Sequence, residues 1–158
     1  MKNIGLLLQS IILSAIIVAC SHSKPAVSSR DVSNARISLT RTSCYGKCPV
    51  YSITVYGTGR VEFEGFANTK VLGKQEVHIP VDSVRILIVE LENQGYFTLN
   101  DHYEEYQMTD LATVNTEAEI DGIRIKITHY KGDLSAPQVL SDIEKRIDEI
   151  ATVRRWLD

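Results

Sequence analysis

The segment VNTEAEIDGIRIKIT, residues 114–128, decides the fold of this chain. Apolar and polar residues alternate on both sides of Asp121-Gly122, and a period of two is typical of β-strands with one buried face. Asp-Gly between two alternating runs predicts a two-residue β-hairpin turn. The return strand carries three isoleucines on one face, namely Ile123, Ile125 and Ile127. We expect all three to be buried.

Four further strands and two helices are predicted around this hairpin. The strand signals lie near residues 37–40, 50–56, 61–64 and 71–79. One helical face is marked by Val84, Leu87, Ile88 and Leu91, and a second runs from Val139 to Ile150. The order ββββ-α-ββ-α predicts an α+β domain in which two helices pack on one antiparallel sheet.

The composition is that of a single globular domain. The 158 residues include 44% hydrophobic and 23% charged residues, with 17 basic against 20 acidic side chains. A net charge of −3 without a basic block argues against nucleic acid as a partner. The chain carries no Gly-x-Ser-x-Gly, His-Glu-x-x-His or phosphate-binding glycine motif. We therefore expect no cofactor, no metal and no catalytic residue, and we favour a protein that is not an enzyme.

The first twenty residues have the layout of an export signal. Lys2 precedes an uncharged, apolar stretch over residues 3–19, which is short for a membrane-spanning helix. The stretch ends in Ile17-Val18-Ala19-Cys20, which resembles the lipobox of bacterial lipoproteins. This resemblance implies that residues 1–19 are a lipoprotein signal peptide. It also implies that the Cys20 thiol carries the lipid anchor, which palmitate would label.

The polar, Ser-rich segment after Cys20 predicts a tether between the lipid and the domain. We place the lipidated cysteine and tether at residues 20–34 and the single domain at residues 35–158. A flexible chain of this length spans roughly 20 Å. Ser21, rather than an acid, follows the cysteine, and resemblance to enterobacterial lipoproteins implies that such a chain is sorted to the outer membrane, facing the periplasm. The predicted partners are the membrane, through the lipid, and an envelope protein or component.

Two cysteines remain for the domain, in Cys44-Tyr45-Gly46-Lys47-Cys48-Pro49. In an exported chain, an even pair at short spacing is most economically a structural disulfide, for which the loop must fold back on itself. Two alternatives stay open. The pair could perform thiol redox chemistry, or it could bind a metal together with one of the histidines at positions 78, 102 and 129. The three-residue spacing and the following β-rich run fit both alternatives poorly.

An acidic stretch, residues 101–110, surrounds His102 and two tyrosines. Carboxylates near a histidine could perform acid–base chemistry, so a hydrolase is a further alternative. Residues 96–111 show no clear period, and a solvated loop is the favoured interpretation.

The cysteine segment also resembles a known protein family. Residues 42–51 carry a C-x-G-x-C-P-x-Y motif, and Thr109-Asp110 and Trp156 match two further family positions. The chain is similar over residues 36–158 to a bacterial domain family of unknown function, whose members are exported and often lipoproteins. This resemblance implies a compartment but no activity. We therefore expect a lipid-anchored cell-envelope protein whose domain binds or interacts without catalysis.

Overall fold

A computed structural model describes residues 31–105 and 107–157 of the chain. The predicted signal peptide, the lipid on Cys20 and most of the predicted tether lie outside these residues. Among the described residues, no helix combines the length and the apolar character that crossing a membrane requires.

The domain is α+β, as predicted, with one seven-stranded sheet. The strands are β1 (Arg36–Arg41), β2 (Val50–Tyr56), β3 (Arg60–Ala67), β4 (Gly73–His78), β5 (His102–Tyr103), β6 (Thr113–Ile120) and β7 (Ile123–Tyr130). The helices are α1 (Val81–Asn93), α2 (Gln138–Ile150) and α3 (Arg154–Leu157), with a 3₁₀ turn over Tyr96–Thr98. The strand order across the sheet is β4-β3-β2-β1-β6-β7-β5.

The prediction of a purely antiparallel sheet is wrong, because β5 runs parallel to β7. The amide of Thr128 donates to the Asp101 carbonyl at 2.8 Å, and this bond draws the chain onto the edge of β7. A strand of two residues is too short to produce an alternating pattern, which is why the sequence gives no sign of it.

The predicted element order also needs correction. β5 stands between α1 and the hairpin, and the C-terminal helical period is divided into α2 and α3. Thr152 separates the two helices with a φ of 56°, a left-handed conformation that ends α2. This break turns the chain so that the Trp156 ring stacks on Phe63, with 4.7 Å between the ring centroids.

The core lies on one face of the sheet, under α1 and α2. Helix α1 buries the four predicted apolar residues, Val84, Leu87, Ile88 and Leu91. The central strands contribute alternate residues with almost no exposure, including Ile37, Leu39, Ile53, Val55, Val61 and Phe63. The opposite face of the sheet carries polar side chains and stays open, so each strand keeps the alternation that its sequence shows.

The predicted hairpin is confirmed at its turn but only in part in its burial. Asp121 and Gly122 have φ values of 51° and 79°, the paired positive angles of a type I′ turn. Ile127 is fully buried and Ile125 is half-buried, whereas Ile123 is 59% exposed, so the prediction that all three are buried is wrong. Because β5 pairs only with the far half of β7, Ile123 has β6 on one side and, among the described residues, no strand on the other.

Candidate functional site

The loop between β1 and β2 is closed by a disulfide between Cys44 and Cys48, as the sequence predicts. Their Cα atoms lie 5.7 Å apart, so the intervening residues fold back. Gly46 makes this possible with a φ of 145°, a conformation that side-chain-bearing residues rarely adopt. The ring that results is small and presents the Tyr45 side chain to solvent at 88% exposure.

Neighbouring loops hold this disulfide loop on both sides. The Tyr45 amide donates to the Asp110 carbonyl at 2.9 Å, and Asn68 Nδ2 donates to the Cys48 carbonyl at 3.0 Å. The base of the loop is fixed to β6, since the Thr42 amide donates to the Thr113 carbonyl at 3.0 Å. The loop is therefore the centre of a connected set of loops at one end of the sheet.

The loops at this end expose most of the large apolar side chains that are exposed in the described residues. We call the following five side chains the distal rim: Tyr45, Phe66, Leu72, Met108 and Leu134. Each of the five lies next to a strand terminus at the end of the sheet where β1 finishes. Across the sheet, they extend from β4 to β7. The remaining exposed apolar residue, Ile123, lies at the opposite end of the sheet.

Hydrogen bonds also join the two loops on the β7 side of the distal rim. The Met108 amide donates to the Gly132 carbonyl at 3.1 Å, and the Leu134 amide donates to Gln107 Oε1 at 2.6 Å. The Asp133 carboxylate accepts hydrogen bonds from Ser135 and from the Glu105 amide, and these bonds lower its pKa. Because Asp133 stays ionised, it continues to hold the two loops together down to acidic pH.

Beneath the rim, two acids on α2 form polar contacts that the sequence analysis missed. Glu144 is 1% exposed, and its two carboxylate oxygens lie 2.5 Å from His129 Nδ1 and 3.1 Å from Lys131 Nζ. One turn later, Asp148 accepts hydrogen bonds from Arg41 at 2.6 Å and from the Tyr51 hydroxyl at 2.8 Å. These contacts tie α2 to the strand ends that carry the rim loops.

Burial sets the protonation states around Asp148. It raises the pKa of the Asp148 carboxyl, while the charge of Arg41 and the hydrogen bonds from Arg41 and Tyr51 oppose that rise. Burial together with the nearby carboxylate also raises the pKa of the Tyr51 hydroxyl, so Tyr51 remains a donor. The arrangement is that of a structural ion pair, in which every polar atom on the carboxylate has a partner.

The three histidines considered as metal ligands do not lie beside the cysteine pair. His78 is at the opposite end of the sheet from the disulfide, and His129 is buried against Glu144. His102 lies on β5, three strands away from β1. In the part of the chain that the structure describes, no group of three or more His, Cys, Asp and Glu side chains has the geometry to hold a metal ion.

The acidic stretch does not converge on one pocket. Glu104 pairs with the exposed His102 at 2.9 Å, whereas the Asp110 carbonyl supports the disulfide loop. A shallow depression of about 400 Å³ lies elsewhere, on the open face between β2 and β4. Asp101 also lies 3.8 Å from His102, so two carboxylates share this exposed histidine, and none of the described carboxylates of the stretch lines the depression.

These features define an α+β domain with an exposed apolar rim of loops built around a disulfide. The chain belongs to the family described as Domain of unknown function (DUF6438), whose model matches residues 35–151. This membership agrees with the predicted resemblance to a family without an assigned activity. A comparison with curated proteins gives no match.

The disulfide should stabilise the domain rather than perform chemistry. Changing both Cys44 and Cys48 to Ala should lower the free energy of unfolding by about 2 kcal/mol, since a small closed loop restricts the unfolded chain by that amount. Denaturant unfolding measures this loss. A glutathione titration followed by alkylation and mass spectrometry should give a midpoint below about −300 mV, as structural disulfides do. A midpoint near −200 mV would favour the redox alternative instead.

Proposed function

We propose that this protein is a lipid-anchored domain of the bacterial cell envelope that binds another envelope protein through the distal rim, without catalysis. The observation that carries the proposal is the placement of the rim. Its five apolar side chains lie at one end of the sheet, and the N-terminal segment joins the domain at the other end.

The start of the described chain is fixed firmly to that other end. Val32 and Ala35 are buried, and the Gly57 amide in the β2–β3 turn donates to the Ala35 carbonyl at 2.8 Å. A Cβ at Gly57 would stand only 1.5 Å from the Val32 carbonyl oxygen, so glycine is required for this close contact. From here β1 runs about 20 Å to the rim, at the usual rise of a strand.

This placement supports a protein partner over the membrane itself. A lipid on Cys20 would hold the membrane near the start of β1, so the rim would point toward the periplasm. Tyr, Phe and Met are enriched at protein–protein interfaces, and Tyr45, Phe66 and Met108 supply one of each. The loops that carry them are joined by hydrogen bonds, two of them between main-chain groups and one from the Asn68 side chain, so the surface is largely formed before a partner binds.

The anchor is tested by changing Cys20 to Ser. Only a thiol at this position can take the lipid, so the variant should lose palmitate labelling and should no longer fractionate as a mature, membrane-bound protein. The parent chain, labelled in parallel, is the control. If the serine variant labels with palmitate and stays with the membrane as before, the anchor is not on Cys20.

The rim is tested by placing a photo-cross-linking phenylalanine analogue at Tyr45, at Leu134 or at Ile123 in cells. Ile123 is the matched control, since it is similarly exposed and apolar but lies at the opposite end of the sheet. We expect a discrete adduct from Tyr45 and Leu134, with a mass other than that of two copies of the chain, and none from Ile123. Equal adducts from all three positions, or none from the rim, would contradict the proposal.

A further inference from the structure

Strand β4 forms one outer edge of the sheet. Among the described residues it pairs with β3 on one side only, and its six residues are largely exposed. The Ile79 amide donates to the Gly59 carbonyl at 2.8 Å, which makes residues 59 and 79 a hydrogen-bonded pair. Because such pairs alternate along an antiparallel ladder, the odd residues of β4 bond to β3 and the even residues direct their main-chain groups outward.

The outward main chain of Lys74, Glu76 and His78 is a template for another strand. Their side chains lie on the open face of the sheet, opposite Glu64, Glu62 and Arg60 of β3. Lys74 and Glu76 carry opposite charges two residues apart. Such a pattern is complementary to itself when two copies of the strand run antiparallel.

The hydrogen-bond pattern limits the ways in which two copies can pair. The two-fold axis must pass through a residue and not between two residues. Only then do the outward main-chain groups of one copy face the outward main-chain groups of the other copy. Two registers overlap five residues of β4. One is centred on Glu76 and sets the two Glu76 side chains against each other. The other is centred on Gln75 and sets Lys74 of each copy opposite Glu76 of the other copy.

Charge therefore selects the register centred on Gln75. The same register sets Val77 opposite Gly73 of the other copy. A Cβ at Gly73 would meet no atom within 4 Å, so the space beside Gly73 is open to the Val77 side chain of the other copy. Glu76 also lies 3.6 Å from Arg60 within its own chain, and it can keep this contact while it pairs.

We propose that β4 pairs with β4 of a second copy of this chain, antiparallel about a two-fold axis at Gln75, and so joins two sheets into one. The partner is a second copy rather than an unrelated strand, because the alternating charges of β4 complement those of β4 itself. The proposal concerns the edge of the sheet and does not depend on the function proposed for the distal rim.

The register is tested by disulfide cross-linking of the full chain in bacterial cells, read on non-reducing gels. Gln75→Cys places two cysteines opposite each other in a non-hydrogen-bonded pair, at about 4.5 Å between Cα atoms, which is within disulfide range. We expect a band at twice the mass of the chain. Glu76→Cys would cross-link only in the rival register and should give no such band.

Thr58→Cys, in the exposed β2–β3 turn, controls for random collision. The proposal is wrong if Gln75→Cys gives no dimer, because β4 is then a protected edge or the strand of another protein covers it. It is also wrong if Thr58→Cys or Glu76→Cys gives as much dimer as Gln75→Cys.

Charge reversal gives the second test, in the Gln75→Cys background. Lys74→Glu sets two pairs of like charges across the axis, as does Glu76→Lys, and each should reduce the dimer band about tenfold. The double change restores opposite charges and should restore the band. Thermal unfolding checks that each variant folds. Retention of the band in the single variants, or no recovery in the double variant, would overturn the pairing.

Discussion

Replacing Ile127 with aspartate should abolish cooperative folding of the domain, whereas the same replacement at Ile123 should be nearly neutral. Both residues lie on the same face of β7, but Ile127 is fully buried and Ile123 is 59% exposed. An unpaired carboxylate in the core costs several kcal/mol, and small domains have only about 5–15 kcal/mol of stability in total. A surface change should stay within about 0.5 kcal/mol.

Denaturant unfolding followed by circular dichroism measures both variants. The two positions lie on the same strand, carry the same side chain and receive the same substitution. Only the burial of the side chain differs between Ile127 and Ile123. A folded Ile127→Asp domain, or an equal loss in both variants, would show that the core does not extend under this part of β7.

Glu144→Ala should lower the free energy of unfolding by about 3–5 kcal/mol. Removing the acid from a buried polar contact leaves its partners without compensation, and the loss is of that order. Here the change would leave Nδ1 of His129, which is 3% exposed, without its hydrogen-bond partner, and it would remove the acidic partner of Lys131. Glu144→Gln, which keeps the size and one acceptor of the side chain, should lose less.

Glu149→Ala is the matched control on the same helix. Glu149 is half exposed and pairs with Arg146 at 3.2 Å, so its loss should cost less than about 1 kcal/mol. Urea unfolding of the three variants gives the comparison. If Glu144→Ala were as stable as Glu149→Ala, the buried contacts of His129 would not contribute to the fold.

The sequence predicted those elements whose pattern is local and long. The alternation extends over at least four strand positions on each side of Asp121-Gly122. The helical period extends over two turns, through Val84, Leu87, Ile88 and Leu91. Such runs mark one face as apolar independently of the rest of the chain, although the exposure of Ile123 shows that the neighbouring strands decide how far the burial extends. The disulfide between Cys44 and Cys48 was predicted on a different ground, because an even cysteine pair at short spacing in a chain with an export signal is most economically a disulfide.

The parts that the sequence could not predict depend on contacts between distant segments. β5 exists only because β7 offers it an edge, and its two residues carry no period of their own. The distal rim depends on which loops reach the same end of the sheet, and this requires the strand order. One signal was available for Glu144: it stands at the helical spacing of Leu140 and Ile147, on the apolar face of α2.

The central position of β1 has a mechanical consequence. Over its whole length β1 is hydrogen-bonded to β2 on one side and to β6 on the other. A tension applied between a membrane anchor and a partner on the rim would pull nearly parallel to this strand. Hydrogen bonds between strands lie perpendicular to that direction, so they bear the load together in shear instead of opening one after another. The domain should therefore resist force along this axis far better than force that peels β4 away from the edge.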